Sequence, residues 1–281
     1  MIKMIIIDID GTVYHHVYGI HKKTKEAILK AKELNIPVII ATGRNITTIY
    51  DIAKELEIDD SNNPFVSQNG GQSFTFKDKE TKDLKIHYTS TFDISLTKEL
   101  FEKANKSKIK IFAYSEQEKY AYCNKKISAF RTFMKFKTKR QKLINYSKWT
   151  NFEKLKVSKF ICFGKTKNMA SFRNFAEDND VSIFAFSYVS EARANIELNP
   201  KGIDKSYGLQ FVCEKMNIDP KDVIYFGDGE NDIAALKWAG KGIAMANAKD
   251  EVKAVANDVT DLTVEHGGVG DYLFKNVFNK Q

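Results

Sequence analysis

The chain has 281 residues, and its 44 Lys and Arg against 36 Asp and Glu give a net charge of +8. That length exceeds the ~100–150 residues of a usual single-core domain, so two domains, or one with a large insertion, are expected. Hydrophobic residues at 43% and aromatics at 12% supply enough core to exclude wholesale disorder.

The N-terminal stretch Met4–Ile7 is an unbroken apolar run that stops at Asp8. Ala27, Ile28, Ala31 and Leu34 then recur at helical spacing, and Pro37–Ala41 is apolar again before Thr42. Asn69-Gly70-Gly71 signals a turn. Strands are expected at Lys85–His87, Lys108–Tyr114, Lys119–Cys123, Lys156–Phe163 and Val181–Tyr188, with helices over about 94–107, 126–145 and 166–180 between them. Asp204 reads as the N-cap of a helix whose apolar stripe is Leu209, Val212, Cys213 and Met216. Asp222–Phe226 is a last apolar run, followed by Gly227-Asp228.

Continuous Ile/Val-rich strands alternating with helices at both ends imply an α/β, doubly wound, Rossmann-like parallel sheet. The middle has an α+β texture, so we expect a core over 1–83 and 187–281 with an inserted domain over 84–186. Charge divides the same way, at +13 for residues 84–186 and −5 for the rest. A basic insert lying over an acidic core would draw anions into the gap.

Several chemistries are excluded. Cys123, Cys162 and Cys213 have no CxxC spacing, so neither a disulfide framework nor a zinc ribbon is offered. No apolar run approaches the ~18 residues of a membrane span. The MIKMIII start is too short for a signal peptide, so a soluble, cytoplasmic protein without a membrane partner is expected. Gly164-Lys165-Thr166 lacks the earlier glycine of a phosphate loop, because Lys159 stands there. Asp8-Ile9-Asp10-Gly11 and Asp228-Gly229-Glu230-Asn231-Asp232 lack the sixth-position glycine of a calcium loop, where Val13 and Ile233 stand. No GxGxxG follows a strand. His15, His16 and His21 stay unassigned. Lys125–Lys142 mixes eight basic residues with Phe130, Phe133 and Phe136. We read it as an amphipathic helix rather than a nucleic-acid groove, and no nucleic-acid partner is expected.

Four polar clusters remain: Asp8-Ile9-Asp10-Gly11-Thr12, Ala41-Thr42-Gly43-Arg44, Lys205, and Gly227-Asp228-Gly229-Glu230-Asn231-Asp232. In an open parallel sheet, residues past the carboxyl ends of strands converge on one edge. Carboxylates brought together there repel unless a cation joins them, and an oxygen-only set suits Mg²⁺.

These clusters, in this order, resemble the four motifs of the haloacid dehalogenase superfamily of phosphatases. The likeness is to the Cof-like subfamily, with its large α/β (type IIB) cap inserted after the second motif. DIDGT matches the first motif, ATGR the second, the second lysine of PKGIDK the third and GDGENDIAAL the fourth; Asn69-Gly70 falls where such proteins often carry an NG pair.

The resemblance implies Asp8 as nucleophile, Asp10 as general acid and base, and Lys205 as charge neutraliser. It also implies Thr42, Gly43 and Asn231 on the substrate, Arg44 reaching substrate or cap or supporting its own loop, and Mg²⁺ held by Asp8, the Asp10 carbonyl and Asp228, with Asp232 supporting. Lys201 is the rival for the lysine role. The implied substrate is a small phosphorylated metabolite, a sugar phosphate or a phosphorylated cofactor such as pyridoxal phosphate, over which the cap would close. A monomer or weak homo-oligomer is expected. The alternatives are a phosphotransferase or phosphomutase of the same superfamily, or a nucleic-acid- or protein-binding regulator using the basic cap.

Overall fold

The computed structural model describes residues 1–59, 62–77, 83–115, 120–124, 142–145, 156–185 and 193–280. The chain divides into two compact units, one formed by Met1–Tyr88 with Asp204–Gln281 and the other by Thr89–Ile203.

The first unit is built on a five-stranded parallel sheet. Its strands are β1 (Met4–Ile7), β2 (Val38–Ile40), β12 (Val223–Gly227), β13 (Lys241–Ala244) and β14 (Asp258–Val259), in the order β14-β13-β12-β1-β2. Every residue of β1, β2 and β12 is buried, as unbroken apolar runs require when helices cover both faces of a sheet. Helix α1 (Lys22–Glu33) buries Thr24, Ala27, Ile28 and Ala31 and packs on α8 (Gly268–Asn276). Leu34, expected on the apolar stripe, is instead the C-cap and lies on the surface. Helix α5 (Lys205–Met216) packs against α6 (Ile233–Trp238). Asp204 caps α5 as expected, its side chain accepting from the Tyr207 N–H. Chain order reverses between β1 and β12: β2 lies on one side, β13 and β14 on the other. Ligands of open α/β sheets bind at such a switch point.

A small sheet of β3 (Phe65–Ser67), β4 (Gln72–Phe76) and β5 (Leu84–Thr89) belongs to the same unit. A bridge from Ala41 to Val66 joins it to the end of β2. The second unit is a six-stranded sheet in the order β10-β11-β9-β6-β7-β8. Its strands are β6 (Lys110–Ser115), β7 (Tyr120–Cys123), β8 (Lys142–Asn145), β9 (Val157–Lys165), β10 (Ser182–Ala185) and β11 (Arg193–Asn199). Helices α3 (Ile94–Lys106) and α4 (Thr166–Asp178) bury Leu100, Phe101, Met169 and Phe172 in one core with Phe160, Cys162 and Leu198 of the sheet.

Two expectations need correction. The inserted unit does not start at 84 or end at 186. β5 is a strand of the small sheet in the first unit, and β11 pairs with β9 and β10 along residues 193–199. The helix expected over 126–145 gives way at its end to the strand Lys142–Asn145, paired parallel with β7. Residues 126–141, with most of the basic Lys125–Lys142 stretch, lie outside the described residues.

Candidate active site

Asp8 is the first residue past β1 and Asp228 the first past β12, so both sit at the switch point. Lys205 opens α5, and Asp232 closes the short turn after Asp228. One ligand oxygen from each of Asp8, Asp228 and Asp232 lies within 4.8 Å of the others. Residues 8, 205 and 232 thus meet from three distant segments.

The lysine is the hub. Lys205, fully buried, donates from Nζ to Asp8 Oδ1 at 2.7 Å and to Asp232 Oδ1 at 2.5 Å. Tyr225 Oη donates to the same Asp232 oxygen, while Asp232 Oδ2 accepts from the backbone N–H groups of Asp228 (3.0 Å) and Gly229 (2.8 Å). Four donors therefore fill the roughly four lone-pair directions of that carboxylate. Asp8 and Asp228 are less saturated. Asp228 Oδ1 accepts from Thr12 Oγ1 at 3.2 Å, and Oδ2 lies 3.4 Å from the donor Asn247 Nδ2. Lys201, the rival lysine, is exposed in the second unit and pairs with Asp180 at 2.7 Å.

Electrostatics reports the crowding. Burial pushes the Asp8 carboxyl up to about 7, with Lys205 pulling it down and Asp232 and Asp10 pushing it further up. Burial, and then Asp8 and Asp232, push Asp228 up to about 8. Burial opposes the Lys205 ammonium, yet Asp232 and Asp8 outweigh it and hold the group charged. One ammonium does not neutralise three carboxylates, and the surplus sits on Asp8 and Asp228. A hard, oxygen-seeking dication fits that donor set.

The other expected residues have partners of their own. The Asp10 carboxylate is outside the three-carboxylate group and is gripped by Arg44, Nε to Oδ2 at 2.7 Å and Nη2 to Oδ1 at 2.5 Å. Arg44 also lies over the Tyr14 ring, 5.2 Å from its centroid. Thr42 is buried, its hydroxyl accepting from the Arg44 N–H at 3.2 Å, with Gly43 between them. Asn231 donates to Asn69 Oδ1 at 2.9 Å. The histidines serve local structure. His15 Nδ1 accepts from the Val17 and Tyr18 N–H groups, His15 stacks on Tyr18 with the His16 ring tilted beside it, and His21 caps α1. At Gly11 a positive φ of 78° and the proximity of Asp228 both require glycine, since a Cβ would overlap the carboxylate.

A family model of haloacid dehalogenase-like hydrolases matches residues 5–273. The chain belongs to this family. Among relatives of this hydrolase is the 5-amino-6-(5-phospho-D-ribitylamino)uracil phosphatase YcsE of Bacillus subtilis, 25% identical over 266 residues, covering 95% of this chain and 92% of the relative. The phosphoglycolate phosphatase of Methanopyrus kandleri is 26% identical over 276 residues, covering 98% and 97%. A haloacid dehalogenase-like hydrolase of Bacteroides thetaiotaomicron shares the fold, with a TM-score of 0.78 at 24% identity over 98% and 99% of the two chains.

Three residues of the hydrolase's site escape sequence reasoning. Tyr225 lies inside the apolar run of β12 and reads as core. Asn247 follows β13, bonds Gly11 O at 2.8 Å and accepts from the Val264 N–H at 3.0 Å. Asn69 reads as a turn residue and as half of the NG pair, with no partner assigned to it. The carboxyl-edge rule that selected Asp8 and Asp228 also covers the end of β13, and so could have found Asn247.

Proposed function

We propose that this hydrolase is a Mg²⁺-dependent phosphatase of small phosphomonoesters that works through a phosphorylated Asp8. The observation that carries the reading is Asp8 held by a buried Lys205 beside Asp228, in a carboxylate group short of positive charge. Two relatives named as phosphatases of small phosphorylated compounds support the same class.

Asp8 attacks phosphorus in line; the P–O bond to the leaving group breaks as the aspartyl phosphate forms. Asp10 delivers a proton to the departing alkoxide, then takes one from the water that attacks the same phosphorus and frees Asp8 and inorganic phosphate. Arg44 acts here by orienting Asp10 as much as by binding substrate. Thr42, the Gly43 amide and Asn231 hold non-bridging phosphoryl oxygens, and Lys205 neutralises charge on Asp8 and on the transferring group. Asp8, the Asp10 carbonyl and Asp228 would hold Mg²⁺, which as a Lewis acid screens anionic nucleophile from anionic substrate. Asp232, saturated by its own donors, fixes Lys205 and the Asp228 loop rather than offering a direct ligand. The basic second unit, +12 over residues 89–203, favours anionic metabolites such as sugar phosphates or pyridoxal phosphate. A cytoplasmic setting suits such substrates, and no helix among the described residues is long and apolar enough to cross a membrane.

The test is hydrolysis of p-nitrophenyl phosphate. Phosphate release that requires Mg²⁺ and stops with EDTA is expected; full turnover after chelation contradicts the metal assignment.

A further inference from the structure

We propose that Asn69 is a positioning residue that aims the Asn231 side-chain amide, and braces the Thr42 loop, toward the phosphoryl group. The inference rests on the phosphatase reading above and adds to it a residue with no assigned part.

Asn69 is fully buried at the centre of an unusual turn. Gln68, Asn69 and Gly70 all have positive φ, at 53°, 52° and 93°. Two successive non-glycine residues in that region are costly, and such strain persists only where the surroundings over-determine it. The surroundings do so here. Tyr88 Oη donates to Gly70 O at 2.7 Å, and a Cβ on Gly70 would overlap the Asp204 carbonyl at the start of α5. Gln68 Nε2 donates to Gln72 Oε1 at 3.2 Å on the adjoining strand.

The fixed turn faces the site through hydrogen bonds to two motifs. The Gln68 N–H donates to Arg44 O at 2.9 Å and the Asn69 N–H to Thr42 O at 3.0 Å, which pins the Thr42–Arg44 loop from behind. Asn69 Oδ1 accepts one N–H of Asn231 at 2.9 Å, across 162 positions of sequence. The second N–H of that amide has no acceptor among the described residues. Held by one hydrogen, the amide presents the other as a preset donor. Without Asn69 the side chain regains its rotamers and must be ordered by the substrate itself.

The experiment is a double-mutant cycle of Asn69→Gly and Asn231→Ala, read by KM, kcat and the inhibition constant for inorganic phosphate, with melting temperature as control. Glycine accepts the positive φ, so the turn survives while the side-chain acceptor is lost. Each single variant is expected to weaken phosphate and raise KM by about tenfold, the scale of one hydrogen bond to a charged group. kcat should fall less than KM rises. The double variant should be no worse than the weaker single, because Asn69 acts through Asn231. A purely structural Asn69 would lower the melting temperature and leave the phosphate constant unmoved. That result, or losses that multiply in the double variant, overturns the proposal. If Asn69→Gly does not fold, proton NMR of the unaltered protein serves instead: one Asn231 side-chain N–H protected from solvent exchange and one unprotected is expected, and two unprotected N–H groups overturn the proposal. Absence of p-nitrophenyl phosphate hydrolysis in the unaltered protein overturns the phosphatase reading, and this inference with it; an active parent with an indifferent Asn69→Gly overturns this inference alone.

Discussion

Replacing Lys205 by methionine separates charge from volume at the hub of the site. Methionine is similar in length and apolar, so the packing change should cost under about 1.5 kcal/mol. The charge change is larger. Lys205 lies 2.7 Å from Asp8 and 2.5 Å from Asp232, with no exposed surface, so its loss strands two buried carboxylates. Breaking a buried pair in this way costs roughly 3–5 kcal/mol. For a unit of this size each kcal/mol moves the melting temperature by about 2–4 °C, so a fall of roughly 6–20 °C is expected. The pH dependence has a definite sign. Asp8 is already raised to about 7 in the folded state, and without the lysine it rises further. The folded protein then holds a proton that the unfolded chain releases near the ordinary carboxylate value, so stability falls as pH climbs from there through the folded value. The deficit should therefore be larger at about pH 8 than at about pH 5.5. Calorimetry of both proteins in EDTA at the two pH values measures it. A variant that melts within ~2 °C of the parent at the higher pH would refute the claim that Lys205 neutralises this site.

Further outcomes follow from the same geometry. Asp232→Asn turns one carboxylate oxygen into an NH₂ donor, so two of the four donors lose their acceptor and Lys205 loses an anionic partner; a cost of about 3–5 kcal/mol is expected, with Mg²⁺ affinity down ~10–100-fold by loss of outer support, and unchanged melting would contradict it. Gly11→Ala puts a Cβ against Asp228 at a φ of 78°, and calorimetric titration should show Mg²⁺ binding weakened by at least ~10-fold; parental affinity would show that the Asp228 position does not matter. Raised carboxyls on Asp8 and Asp228 mean that protons compete with the cation, so saturating MgCl₂ should raise the melting temperature more at about pH 8 than at about pH 6. A larger rise at the lower pH would reverse that sign.

The parts of the site legible in the sequence are those tied to strand ends. Unbroken apolar runs closing on Asp8 and Asp228 identify buried parallel strands, and the carboxyl-edge rule brings their carboxylates together without coordinates. The lysine is legible because Asp204 caps a helix that begins at the same edge. Pairings between distant segments are not legible. Nothing local tells that Tyr225 reaches Asp232, that Asn69 meets Asn231, or that Arg44 turns onto Asp10. The unit boundary is not legible for a related reason. β5 has the alternation of an edge strand wherever it pairs, and only its partners in the small sheet assign it to the first unit. The strand at 142–145 shows the same limit, since short apolar segments take their form from neighbours.

The most direct measurement is mass spectrometry of acid-quenched turnover with p-nitrophenyl phosphate and Mg²⁺. A phosphoryl adduct on the peptide that carries Asp8, absent from Asp8→Asn, is the expected result. Sustained hydrolysis with no adduct there, or turnover that survives Asp8→Asn, would contradict the account at its root.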